Sequence, residues 1–250
     1  MRRVGGSIER HDRVASTNDL ARARLESSDV DGLVVVADEQ TAGRGRRGRS
    51  WISPPRTNLY VSVAIHPRLS AADAWQLGIA AALAAAGACD PVAPVELKWP
   101  NDLVAADGLK VGGLLVETIV EGDRLRGAVA GIGINVNWHR AEMPEEITTT
   151  ATSLADLAGA EVDREALLAR LVDGLGAEVE SIEAGISPLP RYRVRCATLG
   201  TEVRVSTADA VVSGRAVDLD ATGSLVVQTE DGTRVLASGE VLGVRPEVAS

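Results

Sequence analysis

The string TAGRGRRGRSW, residues 41–51, interleaves Arg44, Arg46, Arg47 and Arg49 with Gly43, Gly45 and Gly48. A guanidinium is a planar fork that matches carboxylate and phosphate oxygens and keeps its charge at any working pH. The glycines let the backbone take positive φ and come close to a ligand. Such a segment can order around an anion and loosen without one. It is equally the composition of a solvated basic loop, facing RNA or nothing, and these residues alone leave both readings open.

Three further strings carry polar chemistry. In KWPNDL (98–103) the proline holds Trp99 out of the α region, and Asn101 and Asp102 follow in a turn where they could face phosphate or Mg²⁺. In KVGGLLVE (110–117) Lys110 precedes two glycines that leave room beside the backbone. It is either a snorkelling surface lysine or a cation aimed into a pocket. GIGINVN (131–137) has neither the third glycine nor the following helix of a dinucleotide fingerprint, so that reading is rejected. Its Asn135 offers a donor and an acceptor together, which suits an adenine edge.

The elements that must position these groups follow from periodicity. Residues 16–26 read as a helix capped by Ser16 or Thr17, with Asp19 in its first turn. Residues 32–40 form a continuous apolar run, a strand buried on both faces, with the arginine loop directly after it. Residues 58–67 alternate as a half-buried strand, and 70–88 form an Ala-rich helix with a Ser70/Asp73 cap, packed close on a sheet. Strands at 95–99, 110–120 and 124–137 are separated by turns at 106–108 and 121–123. Residues 139–153 read as a polar surface loop, and 163–185 as a helix with Leu167, Leu168, Leu171, Leu175 and Val179 on one face. Short strands beyond 195 suggest a small barrel. The expected organisation is an α+β domain over 1–195, a mixed sheet with flanking helices, followed by a β domain over 196–250.

Composition limits the function classes. Among 250 residues the net charge is −9, which argues against generic nucleic-acid binding and makes the arginine cluster a local feature. The two cysteines, Cys89 and Cys196, lack metal-site spacing, and no disulfide framework is expected. No signal peptide is read at the start, and the run 77–89 reads as too short and Ala-rich to span a bilayer, so no membrane association and a cytoplasmic location are expected. The Gly-rich strand 124–134 is a candidate edge for a homodimer.

Together and in this order, STN, GRGRRGRSW, KWPNDL, KVGGLLVE and GIGINVN resemble the biotin protein ligase family over residues 8–137. The resemblance implies a class II synthetase-like, biotin/lipoate ligase-like mixed sheet with a C-terminal SH3-like barrel. It implies an enzyme that joins biotin and ATP, with Mg²⁺ arriving on the ATP, into biotinyl-5′-AMP. The biotinyl group then passes to one lysine of a biotin carboxyl carrier domain, such as that of acetyl-CoA carboxylase.

The same resemblance implies roles. Ser16, Thr17, Asn18 and Gln40 would meet the ureido ring of biotin. Gly43, Arg44, Gly45 and Arg46 would close over biotin and the adenylate. Arg47 and Arg49 would help to hold the ATP phosphates, Trp51 would wall the nucleotide side, and Lys98, Asn101 and Asn135 would lie on that side, Asn135 against adenine. Lys110 would sit between the biotin carboxylate and the α-phosphate, with Arg46 as its catalytic partner. An adenine-covering loop is expected somewhere in 139–153. The strings begin at Ser16, so no N-terminal helix-turn-helix domain and no operator binding are expected. A lipoate or octanoate ligase of the same fold is the alternative enzyme, and an RNA-binding module the non-enzymatic one.

Overall fold

The structure, a computed structural model, describes residues 4–27 and 30–245. The outer ends of both expected domains, 1–3 and 246–250, lie outside the described residues. In chain order the elements are β1 (Ser7–His11), α1 (Thr17–Ser27), β2 (Leu33–Ala37), β3 (Leu59–Ile65), α2 (Trp75–Cys89), β4 (Glu96–Lys98), β5 (Asp102–Val104), β6 (Lys110–Glu121) and β7 (Arg124–Ile134). They continue with α3 (Glu145–Thr148), α4 (Leu154–Ala158), α5 (Arg164–Glu183), α6 (Leu189–Arg195), β8 (Glu202–Ser206), β9 (Val211–Leu219), β10 (Leu225–Thr229), β11 (Gly232–Leu236) and β12 (Glu240–Arg245).

The first seven strands form one mixed sheet in the order β1-β2-β3-β7-β6-β5-β4, in which only the β1–β2 pair is parallel. Strand alternation sorts its side chains onto two faces. Val34 and Val36, Val61 and Val63, Ala130 and Ile132, and Leu114 pack into the large core with α2 and α5. Leu33, Val35, Ala64 and Val129 face α1 and its Ala21 and Leu25. The strand at 59–65 is therefore buried along its whole length, not half-buried, because helices cover both faces.

Continuing along the α1 face beyond that small cluster, the register sets Ser62 opposite Gly131 and Tyr60 opposite Gly133. Gly131 in turn faces Leu115, and Gly133 faces Gly113. Rows built on glycine leave a hollow in the sheet, and this hollow is the floor of the site.

Several elements differ from the sequence reading. β1 has a half-exposed polar pattern that hides it, and it pairs along the outer edge of β2. Asp102 opens a strand and pairs with Lys98 of β4, so only Trp99, Pro100 and Asn101 make the turn between β4 and β5. The turn read at 121–123 lies between the paired Glu121 and Arg124, with Gly122 at φ +58. Residues 139–153 are no plain surface loop: Trp138, Met143 and Ala151 form a buried cluster, joined by Ile147 from α3. β7 pairs on both sides, with β3 and β6, so it offers no free edge to a second copy. Ala71–Cys89 reaches the length and apolarity of a membrane span, contrary to the sequence reading, but just over half of it is buried inside the protein. It is a core helix packed on α5.

α6 ends at Arg195. The C-terminal strands form an antiparallel sheet in the order β11-β10-β9-β8-β12. The sheet is open, not a closed barrel: β11 and β12 lie at opposite edges and do not pair.

Candidate functional site

A cleft opens on the hollow face of the sheet. Its wall includes Ser16, Thr17, Asn18, Gln40, Arg44, Gly45, Arg46, Arg47, Arg49, Trp51, Lys98, Asn101 and Lys110. Gly43 and Asn135 are not part of this wall. Gly43 lies behind it, where an added Cβ would come within 2.5 Å of the Trp51 carbonyl oxygen and 2.8 Å of Ser53 Oγ. Asn135 is buried, and its side-chain NH₂ donates to the carbonyls of Thr152 at 3.0 Å and Lys110 at 3.5 Å.

One end of the cleft is uncharged and closely wired. Ser16 precedes α1, and its Oγ accepts from the Asp19 N–H at 3.4 Å. Gln40, just past β2, accepts through Oε1 from both the N–H and the hydroxyl of Thr17, at 2.9 and 3.1 Å. Its amide donates to Ser53 Oγ at 3.0 Å. Ser62, fully buried on β3, lies 2.8 Å from Thr17 Oγ1 and 2.6 Å from Asn18 Oδ1. Asn18 fits only because residue 131 is glycine: a Cβ there would fall 2.0 Å from its Oδ1. Short donors and acceptors held this rigidly suit a compact polar heterocycle.

The other end is charged. Lys110 Nζ lies 2.7 Å from Asp102 Oδ1 and 5.3 Å from the Trp51 ring centroid. Its peptide is fixed on both sides, since its N–H donates to the Thr150 carbonyl at 2.8 Å and its carbonyl accepts from the Thr152 N–H at 2.9 Å. The Trp51 indole covers Gly133, where a Cβ would come within 2.8 Å of the ring, and its buried N–H has no acceptor among the described residues. Burial pulls the Lys98 ammonium below its ordinary value, with Lys110 adding to the effect and Asp102 opposing it. Burial likewise lowers Arg46, with Arg47 beside it, against a smaller opposing pull from Asp102.

The arginine loop spans both ends. Arg44 forms ion pairs with Asp19 and Glu117. Arg46 donates to Asn101 Oδ1 at 3.3 Å and to the Gly239 carbonyl at 3.5 Å. Arg47 donates to the Ser206 carbonyl at 3.2 Å, and Arg49 pairs with Glu240. Arg47 holds φ +56, a left-handed backbone that costs a non-glycine residue about 1–2 kcal/mol. Three of the loop's arginines thus rest on the C-terminal domain, which supplies Gly239, Glu240 and Val241 to the cleft.

Sequence reasoning missed that contribution, and nothing local in SGEV announces it. It also missed Ser53, Ser62 and Glu117. Of these, Ser62 leaves a visible signal: a single small polar residue in an otherwise aliphatic and aromatic run.

Comparison with known proteins follows the same division. The model of the "biotin/lipoate A/B protein ligase family" matches residues 11–135, and that of the "biotin protein ligase C terminal domain" matches 198–242. The chain is 31% identical to the bifunctional ligase/repressor BirA of Bacillus subtilis, over 95% of this chain and 74% of that protein. It is 37% identical to the biotin--[acetyl-CoA-carboxylase] ligase of Mycobacterium tuberculosis, over 92% of this chain and 86% of the relative. The solved biotin protein ligase from Aquifex aeolicus, in complex with biotin and ATP, superposes with a TM-score of 0.81 at 30% identity. That match covers 96% of this chain and 99% of the other. The chain belongs to the biotin/lipoate A/B protein ligase family.

Proposed function

We propose that this chain is a biotin protein ligase, which activates biotin with ATP to biotinyl-5′-AMP and transfers the biotinyl group to a lysine of a carboxylase's biotin carboxyl carrier domain. The observation that carries this reading is the convergence, in one cleft, of the uncharged Ser16–Gln40 network with Lys110 and the arginine loop. The uncharged end takes the ureido ring, and the charged end takes the carboxylate and the triphosphate.

In the first step a carboxylate oxygen of biotin attacks the α-phosphorus and pyrophosphate leaves. Two anions must approach each other, and the ammonium of Lys110 with the guanidinium of Arg46 offsets that repulsion where it is largest. Lys98, Asn101, Arg47, Arg49 and Trp51 hold the nucleotide, and Mg²⁺ enters as part of that substrate. In the second step the ε-amine of the carrier lysine attacks the acyl carbon, loses its proton, and AMP departs. No side chain of this protein is a covalent nucleophile in the scheme, so catalysis is positioning and charge neutralisation. Asn135 serves indirectly here, by fixing residues 110 and 152.

DNA and membranes are not among the proposed partners, given the net charge of −9 and the burial of the apolar helix; a cytoplasmic location completes the reading. A homodimer would have to use a surface other than β7, and sedimentation velocity tests it. The decisive assay supplies ATP with radiolabelled biotin or lipoate and follows pyrophosphate release. Release with biotin is the expected result. Adenylate formed from lipoate alone would replace this reading with lipoate ligation, and polyanion retention without any turnover would replace it with RNA binding.

A further inference from the structure

Glu117 has no role in the scheme above, yet it touches both the uncharged network and the arginine loop. It lies on the cleft face of β6 with its side chain only 22% exposed. Its Oε1 accepts from Arg44 Nη1 at 3.2 Å and its Oε2 from Arg44 Nη2 at 3.0 Å. The same Oε2 accepts from the Asn18 side-chain amide at 2.8 Å. That amide also donates to the Leu115 carbonyl at 3.2 Å, so both of its hydrogens are committed. Asn18 Oδ1 already lies 2.6 Å from the Ser62 hydroxyl. Asn18 can therefore meet a ligand only through the remaining lone pair of Oδ1, as an acceptor for a ligand N–H.

We infer that Glu117 is a positioning residue that ties the orientation of the Asn18 amide to the seating of Arg44. One carboxylate satisfies a ligand-facing amide and the first arginine of the loop together, so disturbing either partner disturbs the other. Charge-assisted, bidentate contacts are the strong ones among hydrogen bonds, which makes this joint stiffer than the loop's single contacts to backbone carbonyls. A glutamine in its place has one acceptor oxygen for donors on both sides, and its own NH₂ must face one of them. The identity of the ligand rests on the biotin ligase reading; the coupling rests on geometry alone.

Glu117→Gln and Glu117→Asp test the coupling in the full-length chain. Without substrates, hydrogen exchange over residues 43–50 should quicken in the Gln variant and lie between it and wild type in the Asp variant. In Arg44→Ala the further change Glu117→Gln should add nothing to that exchange. With substrates, KM for biotin should rise roughly tenfold, the scale of one charged hydrogen bond, and by a larger factor than kcat falls or KM for ATP rises. Unchanged exchange at 43–50, additive effects in the double variant, or equal rises in both KM values would overturn the assignment. Failure of the wild type to use biotin would remove the ligase reading, while the exchange arm would still decide the coupling.

Discussion

The two ends of the cleft are built on opposite plans. The end around Thr17, Asn18, Gln40 and Ser62 is made of uncharged side chains joined by hydrogen bonds, all buried except the half-buried Gln40, and it owes its shape to Gly131 beneath Asn18. The end around Lys110, Arg46, Arg47 and Arg49 is partly exposed, and its cations rest on Asp102, Glu240 and backbone carbonyls. A neutral ligand needs fixed partners from the outset, because unmatched buried dipoles are costly. A polyanion needs cations that are balanced in its absence and can be handed over on arrival. The protein's own carboxylates serve that purpose.

Lys110→Ala should produce the largest effect and tests whether the ends are separable. Pyrophosphate release should fall by about 10²–10³-fold, as for loss of a charge-stabilising donor, while calorimetry finds biotin affinity largely kept. Equal losses in both would merge the two ends into one. Gly131→Ala attacks the other end, since its methyl would collide with Asn18 Oδ1. Biotin affinity should drop by at least roughly tenfold, with about 1–3 kcal/mol of overpacking lost from stability in denaturant titration. An unchanged biotin isotherm would show that Asn18 is not rigidly seated.

Arg46→Gly acts at the seam between the ends. The adenylate should escape roughly tenfold faster, read as labelling of bystander lysines on an added unrelated protein. Labelling confined to the carrier would mean that the loop does not retain the intermediate.

The smallest effect concerns pH and the segment that anchors Lys110. His139 Nδ1 lies 2.8 Å from Asp156 Oδ1, and this hydrogen bond raises the histidine above its ordinary value of 6.5. Stability from a raised histidine is fully present below that ordinary value and is lost as pH climbs through the raised one. For Asp156, burial pushes upward, but hydrogen bonds from His139 and the Arg140 N–H outweigh it and leave a net lowering. Its contribution is present above the ordinary aspartate value of 3.8 and fades as pH falls through the lowered one. Thermal melts should therefore decline slightly from pH 6 to pH 8, and His139→Gln should flatten that slope.

What could be read from the sequence was whatever announces itself locally. The glycine-spaced arginines, Lys110 ahead of its glycine pair, and the Ser16–Asn18 helix start all reach the cleft wall because charge or a buried cap betrays them in a short window. Asn135 was legible as a residue of interest, but its side chain is spent on the carbonyls of 110 and 152, which depend on a segment read as mere loop. Gly239 and Glu240 were illegible: they meet the arginines across nearly two hundred residues of chain, and no pattern within SGEV encodes that meeting. The C-terminal antiparallel sheet is consistent with the expected SH3-like domain, but its outer strands β11 and β12 do not pair among the described residues; alternation fixes strands but not closure.

The peptide of Lys110 is clasped between the carbonyl of Thr150 and the N–H of Thr152 while its strand is pinned to the central sheet. Its ammonium consequently swings like a crane on a bolted base: whatever reach the chemistry demands must come from rotations along the aliphatic arm. Any rearrangement of the 138–152 stretch is transmitted straight to the foot of that crane. In the proposed scheme, the cation set between the two anions is thus held at its base by a stretch that contributes no residue to the cleft wall.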